Sequence, residues 1–150
     1  MPRSTPLPEK ARWLVLVAGL TASIPLYFVV VHVLASTEAA VAPPPVGLRY
    51  GIYGAAFGLS VLALAVAPRV GKAAATALPF DAFLKRTVFS LALAETSAVL
   101  GLVLFFLGRD LGDFLVLAGL ALAVILLGIV PRGLDEAQLQ DLVRAFDLEE

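Results

Sequence analysis

The stretch that decides the fold is KRTVFSLALAETSAVLGLVLFFLG, residues 85–108. A basic pair opens it, and an apolar run follows that meets the roughly 20 residues a helix needs to cross a bilayer. One carboxylate interrupts the run: Glu95, nine residues after Arg86. At about 1.5 Å of rise per residue, it would lie about 13 Å into a hydrocarbon core about 30 Å thick, close to the midplane. A charge there is expensive, which makes Glu95 the first functional candidate.

The rest of the chain agrees with a membrane setting. Its 150 residues are 60% hydrophobic and 15% charged, with a mean hydropathy of +0.94. A soluble domain is about 45–50% apolar and about 25% charged. The sequence therefore predicts an all-α, integral membrane four-helix protein with a short cytoplasmic amphipathic C-terminal helix. Residues 1–11 form a tail. Residues 12–130 form the membrane domain, with spans at about 12–35, 48–67, 87–107 and 114–130. Residues 134–150 carry Leu139, Leu142, Val143 and Phe146 at helical spacing, which makes an amphipathic surface helix.

Punctuation supports these limits. Arg3, Lys10 and Arg12 resemble the charged start of a signal peptide, but the apolar run that follows is too long for one, so span one is read as retained. Pro25 should kink span one, with Thr21 and Ser23 re-satisfying the freed carbonyl. Trp13 suits an interfacial anchor. Pro43, Pro44 and Pro45 favour an extended connection, and the Pro131-Arg132-Gly133 run should stop span four.

Nine basic residues (Arg3, Lys10, Arg12, Arg69, Lys72, Lys85, Arg86, Arg132 and Arg144) fall on one predicted side, against Arg49 and Arg109 on the other. The positive-inside rule then places both termini in the cytoplasm of a cell membrane.

Composition also excludes functions. A net charge of −1 without a basic stripe gives no nucleic-acid partner. The absence of cysteine excludes disulfides and thiolate chemistry, and a single histidine, His32, excludes a multi-histidine metal site within one copy. No nucleophile–base pair, metal cluster or nucleotide motif is visible. The expectation is a protein that is not an enzyme, with no cofactor, no metal and no inferred small-molecule substrate.

Around Glu95 the pattern is more specific. Burial in hydrocarbon disfavours the ionised form, so a protonated carboxyl is expected, with Tyr53, Ser60 or Ser97 as hydrogen-bond partners. Ala94, Ala98 and Gly101, together with Ser90 and Ser97, share one narrow helical face, and Glu95 stands at its edge. Gly51, Gly54 and Gly58 supply a small-xxx-small face on span two, suited to close helix packing within a bundle or a homo-oligomer.

Glycine-rich span two, a basic loop, and then Ala92-Leu93-Ala94-Glu95-x-x-Ala98-x-x-Gly101-Leu102-Val103 together resemble the hairpin of the c-subunit, or proteolipid, of rotary ATP synthases. By that resemblance Glu95 matches the ion-binding carboxylate, and the chain would be a proton-binding component of an ion-translocating complex. The likeness covers about residues 48–107. The chain departs from that family in its shorter glycine run, its two additional spans, its loop, and the lack of a span-two glutamine that would help ligate sodium. The whole pattern resembles small uncharacterised bacterial four-span proteins, which implies a bacterial inner membrane and no known activity. A further expectation is an accessory or assembly subunit of a membrane complex, docking through the C-terminal helix.

Overall fold

The computed structural model describes residues 9–36, 42–67 and 80–135. Residues 1–8 of the N-terminal tail, the loop residues 68–79 and the amphipathic tail beyond residue 135 lie outside the described residues, while residues 9–11 and 80–86 are helical. Every regular element among those described is helical: α1 (Glu9–Thr21), α2 (Ser23–Ala35), α3 (Val46–Val66), α4 (Phe80–Gly108) and α5 (Leu111–Ala123), the last running on through a π-helical turn at Val124–Ile129. Four helical segments are long and apolar enough to cross a membrane: Lys10–Ala35, Val46–Val66, Ala82–Gly108 and Leu111–Asp135.

The first of these segments is α1 and α2 joined at Ala22, just before Pro25. The proline sits in the first turn of α2, where its missing N–H costs least. Ser23 Oγ donates to Leu20 O at 2.9 Å, covering a carbonyl at the break. Thr21 does not share this task, for its buried Oγ1 has no partner.

Pro131 does not end span four, because the helix continues to residue 135. The π-helical turn lies directly before it, with Val130 N–H bonded to Ile125 O. A proline ring ordinarily clashes with the carbonyl four residues back; a widened turn there relieves the clash.

α4 is the central helix, packed against both α3 and α5, with α1 and α2 completing the bundle. Its apolar core includes Leu91, Ala94, Ala98 and Phe105 with Val17, Ile24, Val31, Phe114 and Ala121. Gly101 lies where α5 crosses closely: an added Cβ would stand 3.0 Å from Leu117 Cβ and 3.3 Å from the Phe114 backbone, so α5 would have to give way slightly.

Two buried serines join α4 to α3. Ser90 Oγ donates to Ala63 O at 2.7 Å, and Ser97 Oγ donates to Ala56 O at 3.1 Å. The donors and the acceptors are each seven residues apart and run in opposite directions, as antiparallel helices require. With its proton on Ala56 O, Ser97 accepts from Ser60, whose Oγ lies 3.0 Å away.

Trp13 is not a lipid-facing anchor. It is fully buried, 6.4 Å from the Phe83 ring, and its indole N–H donates to Thr87 Oγ1 at 3.3 Å. Gly133 lies against the indole, where a side chain would collide with it. The indole N–H finds its partner inside the protein, so nothing holds the ring at the bundle surface.

Candidate functional site

Glu95 stands midway along the span Ala82–Gly108. The small-residue face of α4 is wedged between α3 and α5, so a residue at its edge turns towards the remaining neighbour, span one. There Tyr27 Oη donates to Glu95 Oε1 at 2.9 Å. Both residues are half-buried. Among the described residues the only ion pairs are those made by Arg49, so the carboxyl of Glu95 meets a neutral donor and no cation.

The expected partners of Glu95 are elsewhere. Ser60 and Ser97 bond each other and the α3 backbone. Tyr53 belongs to a second constellation, at the end of the bundle that holds the α4–α5 turn. Its hydroxyl donates to Asp113 Oδ1 at 2.7 Å. Arg49 Nε and Nη2 reach the same oxygen at 3.0 and 2.5 Å, and Nη2 also lies 3.2 Å from Asp110 Oδ2. Asp110 caps α5, its Oδ1 accepting from Gly112 N–H at 2.8 Å. Asp113 is only 2% exposed, while the Arg49 side chain keeps 43% of its surface open. A buried carboxylate with three donor contacts on one oxygen, from a guanidinium and a phenol, is a compensated charge that pins span two to span four.

The small residues divide between two surfaces. Ala94 and Ala98 are fully buried, and Gly101 meets α5 rather than span two. Gly51, Gly54 and Gly58 lie on the exposed side of α3, with nothing within 4 Å of an added Cβ. They form no close crossing within the chain. The face of α3 that meets α4 is instead Ala56, Ser60 and Ala63. It is equally small, and it also carries the hydroxyl and carbonyls that α4's serines need.

Two arginines cap helix ends. Arg132 Nη1 donates to Leu64 O at 2.9 Å, near the end of α3, and Arg109 Nη1 donates to Leu34 O at 3.1 Å, near the end of α2. Both carbonyls lie in the last turn of their helix, and Leu34 O also accepts from the Ser36 N–H. Arg109 has a positive φ of 54° and carries its guanidinium 5.7 Å from the centre of the Phe105 ring.

Sequence reasoning missed Tyr27, Arg49, Asp110 and Asp113 as site residues. A signal was available for the last three. The predicted topology puts Arg49 and the acids Asp110 and Asp113 at the same membrane end, with opposite signs.

Fold and site together describe an all-helical protein with four helices compatible with crossing a membrane, a mid-helix carboxyl held by a tyrosine, and an ion-paired cluster at one end. Compared with protein-family models, curated proteins and solved structures, the chain matches none.

Proposed function

We propose that the chain is a non-catalytic membrane bundle in which Glu95, protonated at rest, joins span three to span one through Tyr27. The observation that carries this reading is the pairing of a mid-span carboxyl with a neutral hydroxyl and no cation. An isolated carboxylate in hydrocarbon takes up a proton more cheaply than it stays charged, and a neutral carboxyl still accepts the tyrosine's hydrogen bond. The basic-residue count supports an orientation with both termini and the basic loop in the cytoplasm.

The experiment is labelling with a hydrophobic carbodiimide, which attacks protonated carboxyls. In membranes at neutral pH, Glu95 should be modified, and the label should vanish in Glu95→Gln. An unlabelled Glu95 in both the native chain and Tyr27→Phe contradicts the reading.

One observation favours a second reading, reversible proton binding within a translocating complex. Glu95 is only half-buried, on the flank of the bundle, where a partner subunit could reach it. Extraction in mild detergent separates the two. A larger assembly whose proton flux is lost in Glu95→Gln supports the second reading; an intact, unaltered bundle in that variant supports the first.

A further inference from the structure

An open groove of about 290 Å³ runs between span one and span four. Its walls are Ile24 and Phe28 on α2, and Phe114, Leu115 and Leu122 on the other side; Gly119 lies in the α5 wall. Nothing polar of consequence faces into it. Two cationic or titratable side chains stand at the upper end. His32 is exposed and stacks on the groove residue Phe28, with ring centres 6.3 Å apart. Arg109 sits where α2 ends and α5 begins, bonded to Leu34 O, six residues and so about 9 Å beyond Phe28 along the helix.

Among the described residues Arg109 has no carboxylate partner, since Asp110 and Asp113 both pair with Arg49. Its Nε is buried, and its Nη1 donates to Leu34 O, so any contact with a ligand falls to the outer end of the guanidinium. A guanidinium without a carboxylate beside it is matched to a phosphate, and a groove without polar lining is matched to a hydrocarbon chain.

We infer that this groove is a binding site for an anionic phospholipid, with the phosphate against Arg109 and His32 and one acyl chain lying between Phe28 and Phe114. The site rests on the reading that the helices cross a membrane, and it is independent of the protonation of Glu95.

The test is native mass spectrometry of the full chain extracted from bilayers of equal phosphatidylglycerol and phosphatidylcholine. A chain that leaves the membrane without detergent contradicts the membrane reading itself. In a detergent-extracted chain, phosphatidylglycerol should be retained over phosphatidylcholine by about fivefold, the effect of one basic residue on an anionic headgroup. Gly119→Leu places a side chain in the groove from a position where an added Cβ meets nothing within 4 Å. It should strip both lipids while leaving the melting temperature unchanged. Arg109→Gln should abolish the preference, and Arg109→Lys should keep it. Equal retention of the two lipids by the native chain, or undiminished retention in Gly119→Leu, overturns the site.

Discussion

Among the described residues two carboxyl groups are buried or half-buried, and the bundle surrounds them in opposite ways. Asp113, near the α4–α5 turn, faces the Arg49 guanidinium and the Tyr53 hydroxyl. Glu95, half a span deeper, faces the Tyr27 hydroxyl alone. Burial raises the cost of a charge in both places, but only Asp113 has a counter-charge to offset it. The lesson is that two acids of one bundle are provided for differently: one meets a cation, the other a hydroxyl. Asp113 works as an ion-paired staple between spans two and four, and Glu95, in the proposed reading, as a neutral link between spans one and three.

The sharpest way to break this comparison is to make the same isosteric change at both places. Asp113→Asn keeps the shape but leaves Arg49 without its main counter-charge. It should give the largest fall in melting temperature of any variant here. Glu95→Gln keeps both the shape and an acceptor for Tyr27, and should cost less than about 1 kcal/mol. Equal losses in the two variants, measured by thermal unfolding in detergent, would mean that Glu95 is charged as well.

Truncation comes next. Glu95→Ala removes the acceptor and leaves the Tyr27 hydroxyl unsatisfied, at a cost of about 1–3 kcal/mol. Tyr27→Phe leaves a carboxyl with one partner fewer, and should cost about 0.6–1 kcal/mol, the usual range for a polar contact between membrane helices. The smallest effect belongs to Ser97→Ala, at about 0.6 kcal/mol, because Ala56 O keeps its helical bond and the Ser60 hydroxyl that loses its acceptor can turn to that same carbonyl, four residues back on its own helix. An effect of Ser97→Ala larger than that of Glu95→Ala would shift the weight of the bundle from the Tyr27 pair to the serine contacts.

Much of the fold was legible because hydrophobicity alone marks the four long apolar helices. Glu95 was legible because a single acid in a span has no composition to hide in, and its place at the edge of the small-residue face follows from helical geometry. Its partner was not legible. Nothing in the periodicity of span one relates Tyr27 to a residue in span three, and the choice among Tyr53, Ser60 and Ser97 went to residues whose hydroxyls are used elsewhere.

The two small-residue faces of span two show a similar limit. Gly51, Gly54 and Gly58 read as the closer packing surface, yet Ala56, Ser60 and Ala63 meet α4. Small size permits either face; the positions of Ser90 and Ser97 on α4 select between them. Arg49 was read as a marker of topology, and its pairing with Asp113 appears only when the helix ends are brought together. Trp13 was misjudged for a related reason: an indole beside a charged tail suits a headgroup layer, but Thr87 supplies the acceptor within the bundle.

The central claim is the neutrality of Glu95, and infrared difference spectroscopy reads it directly. The chain would be reconstituted in lipid at neutral pH and compared with Glu95→Gln, with glutamate isotope-labelled. The account predicts a protonated-carboxyl carbonyl band that shifts with the label, moves in Tyr27→Phe and disappears in Glu95→Gln. A carboxylate band from Glu95, with no protonated band lost in that variant, would contradict it.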